Sequence, residues 1–232
     1  MTTRISNNDK IYLLIKCIAF YFLISYCCRF LMFAFEQQVL IPNEIISPSE
    51  SLNIYMAGLK NKLGPILLLF LVISFQPLLE EVSFRLGLSF KKRDIVISIY
   101  TLMFFGLGIL NGGILKISLS GFIIYVGIGI LLFFLYKKHK LQFLSNIDKK
   151  TKDIIIATYI VSFSFIHIFN FKDFSLILFP WYGIYLFNLL TLSFVITRLR
   201  IKNGFLWGYS FHVVNNLLGS TKILASVFFF LN

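Results

Sequence analysis

The chain alternates between long apolar runs and short basic segments, with one longer polar stretch near its start. A helix that crosses the hydrocarbon core of a bilayer needs about 20 predominantly apolar residues. Seven runs predict such spans: 11–35, 63–90, 95–114, 117–136, 153–171, 176–197 and 203–220. A last apolar stretch, 221–232, is too short to cross alone and predicts a partial eighth helix. The pattern predicts an all-α polytopic membrane protein.

The connection between the first two spans, residues 36–62, is the longest polar segment of the chain. It contains two prolines, Pro42 and Pro48, and three of the ten acidic residues. Within it, residues 49–62 predict an amphipathic helix. No internal repeat and no low-complexity linker divides the sequence. We therefore expect a single integral-membrane domain over residues 1–232.

The composition agrees with a membrane protein, because 58% of the residues are apolar, 14% are charged and the mean hydropathy is +0.83. Soluble domains are roughly 45–50% apolar and about 25% charged. The net charge of +12 comes largely from basic clusters between the apolar runs, as expected of loops that face anionic lipid rather than nucleic acid. With the N-terminus inside, the loops 91–94, 137–152 and 198–202 are cytoplasmic. The expected location is the cell membrane, with the lipid bilayer as a partner.

All three cysteines, Cys17, Cys27 and Cys28, lie in the first apolar run. They form no Cys-x-x-Cys pair, so a thiolate metal site is not indicated. That run is too long for the core of a signal peptide and has no small-residue cleavage site. Residues 11–35 therefore predict a retained membrane anchor.

Two adjacent carboxylates, Glu80 and Glu81, lie inside the second apolar run, followed by Arg85. Charged groups at membrane depth are costly and usually functional. Glu81 and Arg85 are four residues apart, so they share a helix face and can pair. Glu80 points about 100° away from Glu81. The structural alternative is that all three mark a helix end at the cytoplasmic surface.

Two of the three histidines, His167 and His212, lie in apolar runs, whereas His139 lies in a basic loop and is expected to be solvated. Asn216 shares a helix face with His212. Taken singly, such residues are more often helix–helix contacts. From the predicted span ends, Glu80, His167 and His212 lie about 15, 21 and 14 Å from the inner side at 1.5 Å per residue. The three side chains are thus expected at a common depth.

These residue types support hydrolysis. A carboxylate and a histidine can hold a water molecule and remove its proton. A second histidine and an asparagine offer two donors to a developing oxyanion. Alternatively, Glu80, His167 and His212 could ligate zinc with water in the open position. The residues alone do not decide between the two, although the sequence has no His-Glu-x-x-His, Gly-x-Ser-x-Gly or Gly-x-Gly-Asp motif of other proteases.

Three motifs in order, each on its own apolar run, carry a family resemblance. They are Glu-Glu-x-x-x-Arg at 80–85, Phe-x-x-x-His at 163–167 and His-x-x-x-Asn at 212–216. Over residues 63 to about 220, this order resembles the CPBP family of intramembrane proteases, which includes type II CAAX prenyl proteases and bacteriocin-processing or immunity proteins. The resemblance implies seven to eight transmembrane helices that enclose a polar intramembrane site.

The resemblance also implies residue roles. Glu80 and His167 would activate the hydrolytic water, and His212 and Asn216 would stabilise the oxyanion. Glu81 and Arg85 would order the site, with Phe163 as a packing position. Family members have been described both as metalloproteases and as metal-independent glutamate proteases. We favour the second, without a cofactor, because the amide of Asn216 suits an oxyanion hole better than a zinc site.

The expected function is that of an endopeptidase acting on a membrane-associated or lipidated peptide or protein. A first alternative is a non-catalytic membrane scaffold or bacteriocin-immunity protein of the same fold. A second is a transporter or proton relay built on the same buried residues. The sequence shows no paired short or broken helices in two halves, as expected of many transporters. It does not name the substrate.

Overall fold

The computed structural model describes residues 7–110, 118–137, 147–171 and 175–221. Every regular element in this part of the chain is helical, and it contains no strand. The α-helices in chain order are α1 (Asn7–Phe35), α2 (Pro48–Leu63), α3 (Pro65–Phe70), α4 (Gln76–Phe84), α5 (Lys92–Leu110), α6 (Leu119–Lys137), α7 (Lys149–Ile166), α8 (Phe179–Asn203) and α9 (Phe205–Gly219). A π-helical turn, Leu71–Phe75, joins α3 to α4. The predicted all-α class is confirmed.

Five helical stretches of the described chain are long and apolar enough to cross a membrane: Asn7–Asn43, Pro65–Phe84, Leu119–Lys137, Lys149–Asn170 and Leu176–Asn203. They correspond to five of the predicted spans. Many of their outward side chains are large and apolar, and Leu119 on α6 is 76% exposed. A water-soluble protein does not expose such surfaces over whole helices. These observations support a membrane protein.

The predicted spans 95–114 and 203–220 are not among these five. Helix α9 has 15 residues, and at 1.5 Å per residue it is about 22 Å long, shorter than a hydrocarbon core. Helix α5 begins with Lys92, Arg93 and Asp94, so its first turn is charged rather than apolar. The predicted partial helix at 221–232 lies, from residue 222 onward, outside the described residues, as does His139.

The helix predicted at 49–62 is confirmed as α2. Ser47 caps its N-terminus by accepting a hydrogen bond from the backbone N–H of Glu50 at 3.1 Å, and Pro48 occupies the first turn. Serine is a preferred N-cap residue, and a proline in the first turn loses no intrahelical hydrogen bond. Between α8 and α9, Gly204 has a φ of +104°. This conformation favours glycine and lets the chain turn between two helices.

The chain divides into two compact units, Met1–Pro77 with Ile160–Asn232, and Leu78–Tyr159. In the first unit, α1 runs antiparallel to α8, because Asn203 Nδ2 donates to Lys10 O at 3.1 Å at one end and Trp181 Nε1 donates to Glu36 Oε1 at 2.9 Å at the other. Together with Phe211 of α9 they form an apolar cluster, to which α1 and α8 contribute Cys17, Tyr21, Leu189, Leu192, Val195, Ile196 and Leu199. Both buried cysteines of the first span, Cys17 and Cys28, are reduced.

In the second unit, a short 3₁₀ turn, Leu86–Ser89, follows α4 and packs against α5. Ser98 on α5 donates a short hydrogen bond to the backbone carbonyl of Ser83 on α4. Helix α5 also packs against α6, where Tyr100 stacks on Tyr125 with ring centroids 4.2 Å apart. The helix carrying the paired carboxylates is therefore fixed from its C-terminal side.

Candidate functional site

The three charged residues of the first motif are buried. Glu80 is 4% exposed, Glu81 0% and Arg85 1%. Arg85 Nη1 donates to Glu81 Oε1 at 2.6 Å, which confirms the predicted pairing. Buried charges are tolerated when they are paired and hydrogen-bonded. A solvated helix end does not account for side chains as deeply buried as these.

The helix nevertheless ends near this motif, and the predicted span 63–90 is too long. Regular helix α4 stops at Phe84, and Arg85 has a φ of −130° before the 3₁₀ turn begins. Glu80 therefore lies about 6 Å from the helix end at 1.5 Å per residue, rather than the expected 15 Å. The sequence does not indicate this end of α4, because the apolar residues after Arg85 continue the hydrophobic run.

The second and third motifs meet at the Phe163 side chain, which is fully buried. Its ring centroid is 4.7 Å from that of His167 and 6.0 Å from that of His212. His167 comes directly after the last residue of α7, whereas His212 lies within α9 and is 2% exposed. One aromatic ring thus contacts both histidines, which come from different helices. The role of Phe163 as a packing residue is consistent with these contacts.

His167 is held to its own helical turn through its side chain. Its Nδ1 lies 2.7 Å from the backbone carbonyl of Phe163. A carbonyl oxygen only accepts hydrogen bonds, so this contact requires the proton on Nδ1. In the neutral ring the lone pair then resides on Nε2.

Asn216 binds the π-helical turn of the second span. Its Nδ2 donates to the backbone carbonyl of Val72 at 3.0 Å. In an i→i+5 pattern this carbonyl would pair with residue 77, but Pro77 has no N–H. The asparagine therefore supplies the donor that the proline lacks. An amide NH₂ group has two N–H donors, and this bond uses one of them.

A second polar contact joins the same two segments. The hydroxyl groups of Tyr209 and Ser74 lie 3.0 Å apart, and the Tyr209 hydroxyl also donates to the Ser74 carbonyl at 3.3 Å. Tyr209, His212 and Asn216 are spaced i, i+3 and i+7, so they share one face of α9. Sequence reasoning missed Tyr209 and Ser74. The sequence did indicate that this turn needs an outside donor, because Pro77 within the apolar run leaves the Val72 carbonyl without a helical N–H partner.

Among the described residues, no group of three or more His, Cys, Asp and Glu side chains is arranged to hold a metal ion. The zinc alternative with Glu80, His167 and His212, considered from the sequence, gains no support from the described residues.

Comparison with known proteins adds no relative. No protein-family model, no curated protein and no solved structure matches the chain. The similarity to the CPBP proteases consequently rests on the three motifs alone.

Proposed function

We propose that the chain is an intramembrane endopeptidase of the CPBP type, which hydrolyses a peptide bond of a membrane-associated or lipidated peptide or protein. The observation that carries the proposal is the buried contact of Phe163 with both His167 and His212. Two of the three sequence motifs thereby meet, although 45 residues separate the two histidines in the chain. Burial of Glu80 in a chain with only ten acidic residues gives further support.

The proposed mechanism uses water as the nucleophile. Glu80 takes a proton from water while the Nε2 atom of His167 helps to orient it, and the water oxygen bonds to the substrate carbonyl carbon. His212 and the second N–H of the Asn216 amide stabilise the resulting oxyanion. The proton then moves from Glu80 to the leaving nitrogen as the C–N bond breaks. Glu81 and Arg85 hold the helix end that carries Glu80.

We extend the proposal to the topology. Seven to eight spans, a cytoplasmic N-terminus and a cell-membrane location follow from the apolar runs and the basic loops. Under this topology α5 and α9 are the sixth and seventh spans besides the five candidate spans, and the partial eighth helix expected at 221–232 lies, from residue 222 onward, outside the described residues. The polar site would lie within the bundle, where the reacting groups are shielded from lipid.

The decisive experiment is cleavage of quenched fluorescent peptides with one membrane-spanning segment by the purified full-length protein in proteoliposomes. We expect Glu80→Gln and His167→Ala to lower turnover by about 10²-fold or more, the usual contribution of a general base. Glu50→Gln changes an exposed acid of the chain and should leave turnover unchanged. His139→Ala provides the same control for histidine.

A chelator added to the same assay separates the two mechanisms. The metal-independent mechanism predicts unchanged turnover, whereas loss of activity that zinc restores would replace it with a metalloprotease. Equal turnover of wild type, Glu80→Gln and His167→Ala would overturn the protease assignment. Uptake of a solute into sealed vesicles that depends on Glu80 would support the transporter alternative instead.

A further inference from the structure

A groove in the second unit is lined by residues outside all three motifs. It has a volume of about 510 Å³ and runs between α5 and α6. Its walls are mostly apolar, formed by Val96, Ile97, Val126, Ile130, Leu132 and Phe133, with Arg93, Tyr100, Gly129 and Tyr136 completing the lining. This volume falls within the range of small-molecule sites, about 300–1,000 Å³.

One end of the groove is strongly basic. Arg93 is 73% exposed and uses its Nε to bind Asp94 Oδ1 at 3.2 Å. Lys92 Nζ lies over the Tyr136 ring, 5.7 Å from its centroid, and Lys137 is the last residue of α6. Asp94 is itself occupied, since Ser89 Oγ donates to it at 2.7 Å. The mouth of the groove thus carries a net positive charge.

The apolar walls and the basic mouth of the groove together indicate which kind of ligand it can bind. Tyr100, which stacks on Tyr125, lines the groove two helical turns of α5 away from Arg93. A peptide backbone in such a groove would leave its N–H and C=O groups without partners, which is costly, whereas an acyl chain needs none. Arginine and lysine at the mouth favour a phosphate group. Tyr136 is at the end of a candidate span, a common place for tyrosine at the headgroup level.

We propose that this groove binds an anionic glycerophospholipid, with an acyl chain between α5 and α6 and the phosphate against Arg93 and Lys92. The proposal does not depend on protease activity. If the basic loops are cytoplasmic, the lipid belongs to the inner leaflet, which attracts such clusters through its negative surface potential. The site would select lipids by charge.

The test compares lipid retention by the full-length protein. Protein reconstituted in equal amounts of phosphatidylglycerol and phosphatidylcholine is released into mild detergent, and bound lipids are counted by native mass spectrometry. Wild type should retain phosphatidylglycerol over phosphatidylcholine. Arg93→Gln should lower that preference about fivefold, since one basic residue contributes about 1 kcal/mol near an anionic surface. Ile130→Trp should fill the groove and abolish retention.

Two matched variants complete the design. Leu131→Trp changes the neighbouring residue of α6, which is 57% exposed against 54% for Ile130 and does not line the groove. Lys150→Gln removes the same charge at an exposed position of the second unit. Both should behave as wild type. Equal retention of the two lipids by wild type, or equal loss in Ile130→Trp and Leu131→Trp, would overturn the proposal. Equal unfolding midpoints in phosphatidylcholine verify that every variant is folded.

Discussion

At the scale of single residues, the buried ion pair of Glu81 and Arg85 is the clearest feature of the chain. Both side chains are at most 1% exposed, and their atoms lie 2.6 Å apart. Separating two such charges leaves one of them buried without its partner, which typically costs about 3–5 kcal/mol. Replacing both by apolar residues removes that penalty.

We therefore predict that Arg85→Met lowers the free energy of unfolding by about 3–5 kcal/mol. The double variant Glu81→Leu with Arg85→Met should lose clearly less free energy of unfolding than the sum of the losses in the two single variants. Unfolding in mixed micelles with increasing denaturing detergent, followed by circular dichroism, measures all three changes. Lys62→Met, at an exposed position, is the control. Additive losses would contradict a direct interaction between the pair.

Tyr209 illustrates how a residue outside the motifs acts through one of them. Its hydroxyl binds Ser74 on the π-helical turn, one helical turn before His212 on the same face of α9. A neutral hydrogen bond contributes about 0.5–1.5 kcal/mol. Its loss would loosen the contact that positions His212 without removing any proposed catalytic atom.

Tyr209→Phe should accordingly reduce kcat of the proposed protease about two- to tenfold, the range that this energy corresponds to, with little change in KM. Kinetics of peptide cleavage in proteoliposomes measure the effect. Tyr55→Phe, at a position 59% exposed, should have none. If Tyr209→Phe changed only KM, its hydroxyl would contribute to substrate binding rather than to positioning.

At the scale of elements, the 3₁₀ turn after α4 depends on a close approach of the Gly87 backbone to the Ser98 side chain. A Cβ atom added at Gly87 would lie 3.1 Å from Ser98 Oγ and 3.2 Å from Ser98 Cβ. These distances are tighter than ordinary contacts, and Ser98 is fixed by its own bond to the Ser83 carbonyl. The glycine thus lets α5 pack against the end of the helix that carries Glu80.

Gly87→Ala should destabilise the protein by about 1–3 kcal/mol, as for an overpacked core. Gly106→Ala is the matched control, since a Cβ there meets nothing within 4 Å. In a helix interior that substitution should be neutral or stabilise by up to about 1 kcal/mol. Thermal unfolding in detergent measures both variants. Equal midpoints for the two variants would show that the turn can shift to admit a methyl group.

Asp94, in the first turn of α5, makes the stability of the folded protein depend on pH. Burial raises the pKa of its carboxyl, but the hydrogen bonds from Ser89 and Arg93 and the charges of Arg93 and Lys91 outweigh that effect, so its pKa is lowered. A lowered pKa in the folded state contributes stability above the unfolded value, near 3.9. That contribution is lost as the pH falls through the folded pKa.

We expect the unfolding midpoint of wild type to fall below about pH 4, in the window between the unfolded and folded pKa values of Asp94. In Asp94→Asn the same fall should be smaller, and at neutral pH this variant should be less stable than wild type. Midpoints between pH 3 and pH 7, compared for the two proteins, test the sign. A parallel decline in both would show that other carboxyl groups control acid unfolding.

At the scale of the whole molecule, the membrane topology connects the apolar spans to the basic loops. The five candidate spans leave α5 and α9 to be assigned. The positive-inside rule predicts that the loop before α7 is cytoplasmic and that residues 36–62 are outside. These two placements can be checked independently of any enzymatic activity.

In a variant with Cys17, Cys27 and Cys28 replaced by Ser, a single Lys150→Cys should react with a membrane-impermeant maleimide only after the cells are permeabilised. A single Ser51→Cys should react in intact cells. Gel-shift labelling measures both reactions. The reverse result would place the N-terminus outside, and labelling of both residues in intact cells would show that the number of spans between them is wrong.

Much of the molecule was predictable from the sequence because the hydrocarbon core of a bilayer admits few backbone structures. Long apolar runs must be helical in a membrane, which is why five spans and helix α2 were found. The pairing of Glu81 with Arg85 followed from helical periodicity alone. The end of α4 at Phe84 was not predictable, since the apolar residues after Arg85 are equally compatible with a continued helix or a packed turn.

By itself, the sequence determined the helical class and the scarce buried polar residues, because local hydrophobicity and spacing are properties of the chain. Only the tertiary structure decided that Phe163 contacts both His167 and His212 and that Asn216 supplies the hydrogen bond Pro77 cannot make. The contact of Phe163 with His212 joins residues 49 apart in the chain, and that of Asn216 with Val72 joins residues 144 apart. Packing between distant segments sets such contacts, and local sequence patterns do not encode it.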